Sequence, residues 1–419
     1  MTTETTKAPP TNASLGSPIP QELIHRDDPG TLPPALVALV ERSPVAKAAL
    51  PSGDPFWLVS GYDEARAVLS DPRFSADRFT YHPRLKNLPA KVRAGLSDDK
   101  ARAGSFINMD PPEHSRYRKL LTGQFTVRRM RQLGARIEEI VTAQLDAMLA
   151  KGNTADLMPD FALPVPSLVI SELLGVRYED RAEFQQRTAS LLRMNMPGAE
   201  AVANAEAMRA FMHRVVTDKR ANPADDIISG LIHHADADPA LTDDELTGVA
   251  NLLLMAGFET TASMLGLGVF VLLQRPDQLA ALRADPSLTG DAVEELLRFL
   301  SIVQIGLFRF AKEDLELGGV HLPAGSTVVV SVMAVNRDSK HWPDPDVLDV
   351  TRARGSHLAF GHGVHQCLGQ QLARMELKVA YTELLRRLPG LRLAVPAADV
   401  PLRNDMLHYG VHALPVTWD

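Results

Sequence analysis

Phe360-Gly361-His362-Gly363-Val364-His365-Gln366-Cys367-Leu368-Gly369 holds the only cysteine in a chain of 419 residues. Glycines surround it, and a helical pattern begins directly behind it. Apolar residues recur at Leu368, Leu372, Met375, Val379 and Leu384 until Pro389 stops the run. A thiol at a helix N-terminus meets free backbone N–H groups and the positive end of the helix dipole, and both favour the thiolate. A thiolate held this way is a nucleophile or a metal ligand, and the rest of the chain has to say which.

Upstream of the loop, Asn336–Ser356 is irregular and rich in Asp, Pro and Arg. Before it, Glu316-Leu317-Gly318-Gly319 reads as a tight hairpin. Thr327–Val332 reads as a β-branched strand, with a short helix following near Val335. On the preceding helix, Asp291–Leu300, Glu295 and Arg298 stand three apart and face one side, which predicts an intrahelical ion pair. Downstream, Leu391–Trp418 alternates like short strands broken by Pro and Gly.

Further upstream lies an unusually long helix. Thr242 with Glu245 three residues on is a capping box, and the pattern runs to Gln274, a length on the order of 50 Å. It is apolar all round, which marks a buried central helix. Yet Ala256-Gly257-Phe258-Glu259-Thr260-Thr261 sits at its middle. A buried carboxylate needs a partner or a function. Gly257 weakens the helix and clears room beside it, and a Thr hydroxyl can bond the preceding turn and bend it. A satisfied polar pair with a packing glycine is the alternative.

The N-terminal part is less regular. Met1–Pro20 reads as a disordered tail. A strand over Phe56–Ser60 is followed by a helix over Tyr62–Ser70, ended by Asp71-Pro72. Arg73–Phe106 shows no lasting period, which suits a lid or binding loop. Asp110-Pro111-Pro112 suits a helix start with proline in the first turn. On that helix His114 and Arg118 share a face, as part of either a solvated basic helix or an anion grip. Val127 to Leu300 reads almost wholly helical. The predicted class is mainly α with small β-sheets, in a single domain over residues 21–419.

Composition excludes some functions. Hydrophobic content is 45%, charged content 23% and net charge -7, as in a globular enzyme with a large core and no general affinity for nucleic acid. One cysteine allows no internal disulfide, which fits a reducing cytoplasm. No apolar run reads as long and uninterrupted enough to span a bilayer, and the polar N-terminus lacks a secretory pattern. The expectation is a cytoplasmic monomer with no membrane or nucleic-acid partner.

For the thiolate, a nucleophile would need a His base, and His362 and His365 are near in sequence; no cysteine-hydrolase signature accompanies them. A lone Cys with scattered His is a poor zinc framework. The third reading is haem iron with one axial thiolate, which pushes electron density to the iron and favours O–O cleavage.

From about Gly61 onward the chain resembles the cytochrome P450 family, through four motifs in order. Phe360-x-x-Gly363-x-His365-x-Cys367-x-Gly369 resembles the haem-binding loop, and Ala256-Gly257-x-Glu259-Thr260 the oxygen-activation motif. Glu295-x-x-Arg298 resembles the Glu-x-x-Arg pair, and Arg352 the third member of that buried triad. The resemblance implies the P450 fold: a long central helix over non-covalent haem b, with Cys367 as the iron ligand on the proximal side. It implies haem contacts from Ala256, Gly257, Phe360, Gly361 and Gly369, and propionate pairing by His114, Arg118, Arg309 and His365. Glu295, Arg298 and Arg352 would be structural. Glu259 and Thr260 would deliver the two protons that dioxygen cleavage needs, with the helix distorted at Gly257. Phe258 stands where many bacterial relatives have His. Met109–Met130 and Gly363–Glu376 are most similar to actinobacterial members acting on natural products and xenobiotics.

The implied activity is a monooxygenase, chiefly a hydroxylase, inserting one atom of O2 into a sizeable hydrophobic substrate. Expected pocket walls are Arg84–Phe106, Leu192–Met196, Leu253, Ala256, Ile302–Leu307 (with Val303, Ile305 and Leu307) and Leu407-His408. Electrons would come from a ferredoxin and its NAD(P)H-dependent reductase. The basic residues Arg116, Lys119, Arg128, Arg129 and Arg131 are a candidate docking patch. A peroxygenase or oxidative coupling enzyme is the alternative on the same fold. A non-catalytic recruitment module of a biosynthetic assembly line is another, although such modules tend to lose the cysteine or the Glu/Arg pair.

Overall fold

A computed structural model describes residues 17–81, 99–124, 127–234 and 240–419. The central helix Asp243–Leu273 organises it. Thr242 caps that helix reciprocally with Glu245, as the sequence predicts: the Thr242 hydroxyl accepts from the Glu245 N–H at 3.2 Å, and the Glu245 carboxylate accepts from the Thr242 N–H at 2.8 Å. Helices Gly198–Ala221, Pro164–Leu174 and Gln370–Arg387 pack around it. By length and composition the central helix could cross a membrane, contrary to the expectation that no segment could. It is instead enclosed by the fold, with Met264 to Leu272 buried without interruption.

Glycines set how closely the helices approach. A Cβ at Gly268 would lie 2.0 Å from the Tyr381 hydroxyl, which donates to the Met264 carbonyl at 2.7 Å. That bond locks the helix that follows the cysteine loop, Gln370–Arg387, to the central one.

The strands are β1 Val45–Ala49, β2 Pro55–Val59, β3 Phe74–Ser75, β4 Thr154–Asp156, β5 Leu307–Ala311, β6 Leu315–Leu317, β7 Val320–Leu322, β8 Thr327–Val330, β9 Arg392–Leu393 and β10 Pro415–Thr417. They form a five-stranded sheet in the order β1-β2-β8-β5-β3, a three-stranded sheet β4-β10-β9 and the β6-β7 hairpin. Mainly helical architecture with small sheets is thus what the sequence predicts. The helix Tyr62–Ser70 and the hairpin turn at Gly318-Gly319 fall at the expected residues.

Three expectations are corrected. Ile19 is buried against Leu23, Leu36 and Met333, so residues 17–20 belong to the fold; residues 1–16 lie outside the described residues. β1 goes unpredicted because its VAKAA sequence carries little β signal. Pro111 and Pro112 precede the helix Glu113–Thr122 instead of forming its first turn. The Asp110 carboxylate is taken by the Ser75 hydroxyl at 2.6 Å and the Ala76 N–H at 2.8 Å, which ties this segment to β3. Of the loop expected over Arg73–Phe106, β3 and the short helices Arg78–Tyr81 and Asp99–Arg102 are described; residues 82–98 lie outside the described residues.

Candidate functional site

The cysteine loop is shaped by two glycines with left-handed backbone, Gly361 (φ +69) and Gly363 (φ +70). A Cβ at Gly363 would lie 2.3 Å from the Leu69 carbonyl oxygen, so only glycine lets the loop sit on helix Tyr62–Ser70. The Cys367 N–H donates to the Phe360 carbonyl at 2.9 Å, closing the loop just before the helix starts at Gln370. The side chain of Cys367 remains accessible. Burial by the surrounding protein pushes its thiol above the ordinary range, against the Gly369 N–H and the Arg118 and Arg374 guanidinium groups. A coordinated cation would hold the thiolate, since a metal deprotonates its thiol ligand.

Four basic side chains converge beside the cysteine. His114 is buried, and neither of its ring nitrogens has a hydrogen-bond partner. Its ring lies 4.1 Å from that of His365 between centroids. Arg118 is one turn beyond His114, and Arg309 reaches in from β5, donating to the Phe308 carbonyl at 2.8 Å. Among the described residues, no carboxylate forms an ion pair with any of the four. Burial first, then the neighbouring Arg118 and Arg309 charges, lowers His114 to about 4. Burial, Arg309 and then His114 lower His365 to about 3. Burial lowers Arg309 to about 10. Two arginines and two imidazoles in one place, His114 with no partner on either ring nitrogen and His365 bonded to the Met109 backbone, call for an anion of more than one charge. The two propionates of a haem supply it, and the accessible Cys367 sulfur supplies the single protein ligand its iron needs. The donor set fits haem b.

The middle of the central helix behaves differently on its different faces. Ala256 is exposed and Thr260 partly accessible, although their surroundings are core. The Thr260 hydroxyl donates to the Ala256 carbonyl at 2.7 Å. Glu259 is 1% exposed and forms an ion pair with Arg403, which also donates to the Ser263 hydroxyl at 3.2 Å. Gly257 does not open a groove as expected. Its absent side chain makes room for Ile170 of helix Pro164–Leu174, whose Cδ1 would be 2.9 Å from a Cβ. The helix assignment runs unbroken through this point.

Beneath the cysteine loop, Glu295 receives two bonds from Arg298 at 2.7 and 2.8 Å and one from Arg352 at 3.1 Å. Arg298 also donates to the carbonyls of Asn336, Pro345 and Val347. Arg352 donates to those of Pro343, Asp344 and Val347. The triad therefore stitches the irregular segment before the cysteine to the Thr289–Leu300 helix. A second carboxylate went unpredicted. Glu294 binds Arg374 of the cysteine helix at 2.7 and 3.0 Å and His357 at 3.0 Å. Burial opposes its ionisation, yet these bonds hold it down at about 2. Arg374 in turn lies over the Phe360 ring.

Of the expected pocket walls, Val303, Ile305 and Leu307 are partly accessible, alternating with buried Ile302, Gln304 and Gly306. Leu253 is partly accessible on the central helix. Leu407 and Ile305 both pack against the cluster that holds Met194, Val329 and Met333, and His408 forms a β-bridge with Val303. Leu192, Met194 and Met196 are buried and act as core; the Leu192 carbonyl and the Met194 N–H instead anchor the segment around Leu407. In the expected docking patch, Arg116 pairs with Glu245 and Arg129 with Asp225. Lys119 is exposed, and the side chains of Arg128 and Arg131 lie outside the described residues.

A family model for cytochrome P450 matches residues 52–405. The chain belongs to the cytochrome P450 family. It is 51% identical over 387 residues to cytochrome P450 105C1 of a Streptomyces species, covering 92% of this chain and 95% of that one. The crystal structure of Rif16 in complex with R-L superposes with a TM-score of 0.86 at 71% identity, covering 96% of this chain and all of the other. CYP105P1 in complex with filipin I superposes at 0.88 with 44% identity, covering 96% and 99%. This P450 is a haem-thiolate monooxygenase, and haem b is its cofactor. The cluster of two arginines and two imidazoles and the accessible cysteine are the features of its own geometry that fit that cofactor.

Proposed function

We propose that this P450 hydroxylates a sizeable, largely apolar natural product, with electrons from a ferredoxin and an NAD(P)H-dependent reductase. The supporting observation is the accessible apolar lining: Leu253 and Ala256 on the central helix, and Val303, Ile305 and Leu307 on the strand edge. When bound, the haem supplies activation of O2 and transfer of one oxygen atom to the substrate. Cys367 would hold its iron, and His114, Arg118, Arg309 and His365 its propionates. Thr260 and Glu259 would pass protons into an otherwise dry site, the hydroxyl by reorienting its proton away from the Ala256 carbonyl. Natural-product chemistry is favoured by the likeness to CYP105P1, solved with filipin I.

The test is spectral. A thiolate-type CO-difference spectrum of the reduced protein is expected, followed by high-spin shifts with bulky polyketide- or terpenoid-like ligands and hydroxylated product on adding ferredoxin and reductase. Product formed equally well with peroxide alone would favour the peroxygenase reading, and no high-spin shift across such a panel would overturn the substrate class.

A further inference from the structure

His408 is a polar side chain beside an apolar wall. Its antiparallel bridge to Val303 sets the two residues directly opposite each other, and residues opposed in this way share a face. The stretch that carries Val303 leads to the haem site. Further along it, Leu307 Cδ1 would lie 3.7 Å from a Cβ at Gly361 in the cysteine loop, and Arg309 joins the basic cluster beside His114 and His365.

The backbone holds the imidazole in place. On either side of it the Leu407 N–H donates to the Leu192 carbonyl at 2.9 Å and the Tyr409 N–H to the Ile302 carbonyl at 2.8 Å. Gln304 donates to the Arg403 carbonyl at 3.3 Å and to the Met406 carbonyl, which fixes the turn before it.

The side chain is partly accessible. Nδ1 is buried without a hydrogen-bond partner, so the accessible nitrogen is Nε2. Burial first, then Arg403, lowers His408 to about 4. The ring is therefore neutral at pH 7, with one N–H donor and one acceptor nitrogen. A proton on Nδ1 would be a buried N–H without an acceptor, which folded proteins rarely leave. The proton belongs on Nε2, at the accessible edge. Nearby donors do not compete: Leu253, Ala256, Val303, Ile305 and Leu307 are apolar, and the Thr260 hydroxyl is given to the Ala256 carbonyl. An anionic group would find no free cation beside His408, because Arg403 is paired with Glu259.

We propose that His408 is a specificity-determining residue whose Nε2–H donates to an uncharged oxygen acceptor, a ketone, lactone or ether oxygen, on an otherwise apolar substrate. This rests on the reading that the substrate is a sizeable apolar molecule lying against these walls. A single donor in an apolar pocket fixes the orientation of its ligand, and a ligand lacking the acceptor leaves that donor unpaired.

The probes are benzophenone and diphenylmethane, which differ by one carbonyl oxygen. Both are titrated on the haem-loaded enzyme, by spin-state shift or by displacement of bound imidazole. In His408→Phe the ratio of benzophenone to diphenylmethane affinity should fall by about three- to tenfold, the worth of one neutral hydrogen bond. His408→Gln, which keeps an N–H donor, should recover part of it. Nitrogen-15 histidine spectra of the reduced carbonyl form should show His408 protonated on Nε2, its signals being those lost in His408→Gln. If His408→Phe does not take up haem, His408→Leu carries the same comparison. An unchanged ratio, or a proton on Nδ1, would overturn the proposal while leaving the apolar-substrate reading intact. Failure of both compounds to bind the wild-type enzyme would overturn that reading and the proposal with it.

Discussion

The imidazoles of His114 and His365 lie 4.1 Å apart between ring centroids and share their surroundings with Arg118 and Arg309. Both are held below the ordinary value of 6.5, to about 4 and about 3, by burial first and then by those charges. A histidine depressed in the fold binds its proton more tightly when unfolded. The stability it contributes is therefore full above pH 6.5 and is lost as pH falls toward 4 and 3. Haem-free protein should lose stability to denaturant across that window. Loading haem should flatten the slope, because propionates stabilise the imidazolium forms. His365→Phe should flatten it in the haem-free protein too; an unchanged slope would remove these residues from the acid response.

Arg118→Ala and Arg309→Leu each delete a cation that has no carboxylate partner among the described residues. Each should speed haem transfer to an apomyoglobin acceptor by about tenfold or more, as expected for a lost charge-assisted bond of about 1.5–3 kcal/mol. Lys at Arg118 should recover part of this.

Glu295 is 3% exposed and Arg298 1%. Arg298→Met leaves a buried carboxylate short of its main partner, which costs about 3–5 kcal/mol. The expected outcome is protein that expresses poorly and loses its thiolate-type CO spectrum. Glu294→Gln should be milder, releasing Arg374 from Phe360 and lowering thermal stability while the spectrum survives.

Thr260→Ala should divert electrons from product to hydrogen peroxide, measured as peroxide per NAD(P)H consumed. Thr260→Ser keeps the hydroxyl that bonds the Ala256 carbonyl and should stay coupled.

Two glycines of the central helix predict different costs. Gly257→Ala meets the flexible end of Ile170 at 2.9 Å and should cost about 1–3 kcal/mol, recovered by Ile170→Val. Gly268→Ala drives a methyl into the Tyr381 hydroxyl and breaks its bond to Met264. It should cost more, and Tyr381→Phe should recover part of it. Thermal unfolding of the haem-loaded variants checks both.

What the sequence revealed was what lies close together in it. The glycine pattern around Cys367, the Thr242–Glu245 cap and the Glu295–Arg298 pair are each contained within a few residues, and all appear as read. His114 and Arg118 declared a shared face but not what the face meets; only the approach of Arg309 and His365 makes it an anion site. Gly257 signalled a close approach but could not say from which side, and Ile170 supplies the answer. Glu294 with Arg374 is 80 residues apart and Arg403 with Ser263 is 140, so no local pattern announces either. Arg403 in particular sits among Pro, Asn and Asp residues that read as an ordinary turn.

The enclosed central helix has a consequence for synthesis. Asp243–Leu273 leaves the ribosome as a segment greasy enough for a bilayer, yet the groups that cover it come late: Tyr381 bonds the Met264 carbonyl, and Val411 sits beside Gly266. A nascent chain must shelter this segment until its final residues are made. Messages truncated after the helix should therefore yield products that chaperones retain or that partition into membranes, and haem capture at Cys367, itself made late, would coincide with the moment the segment is sealed.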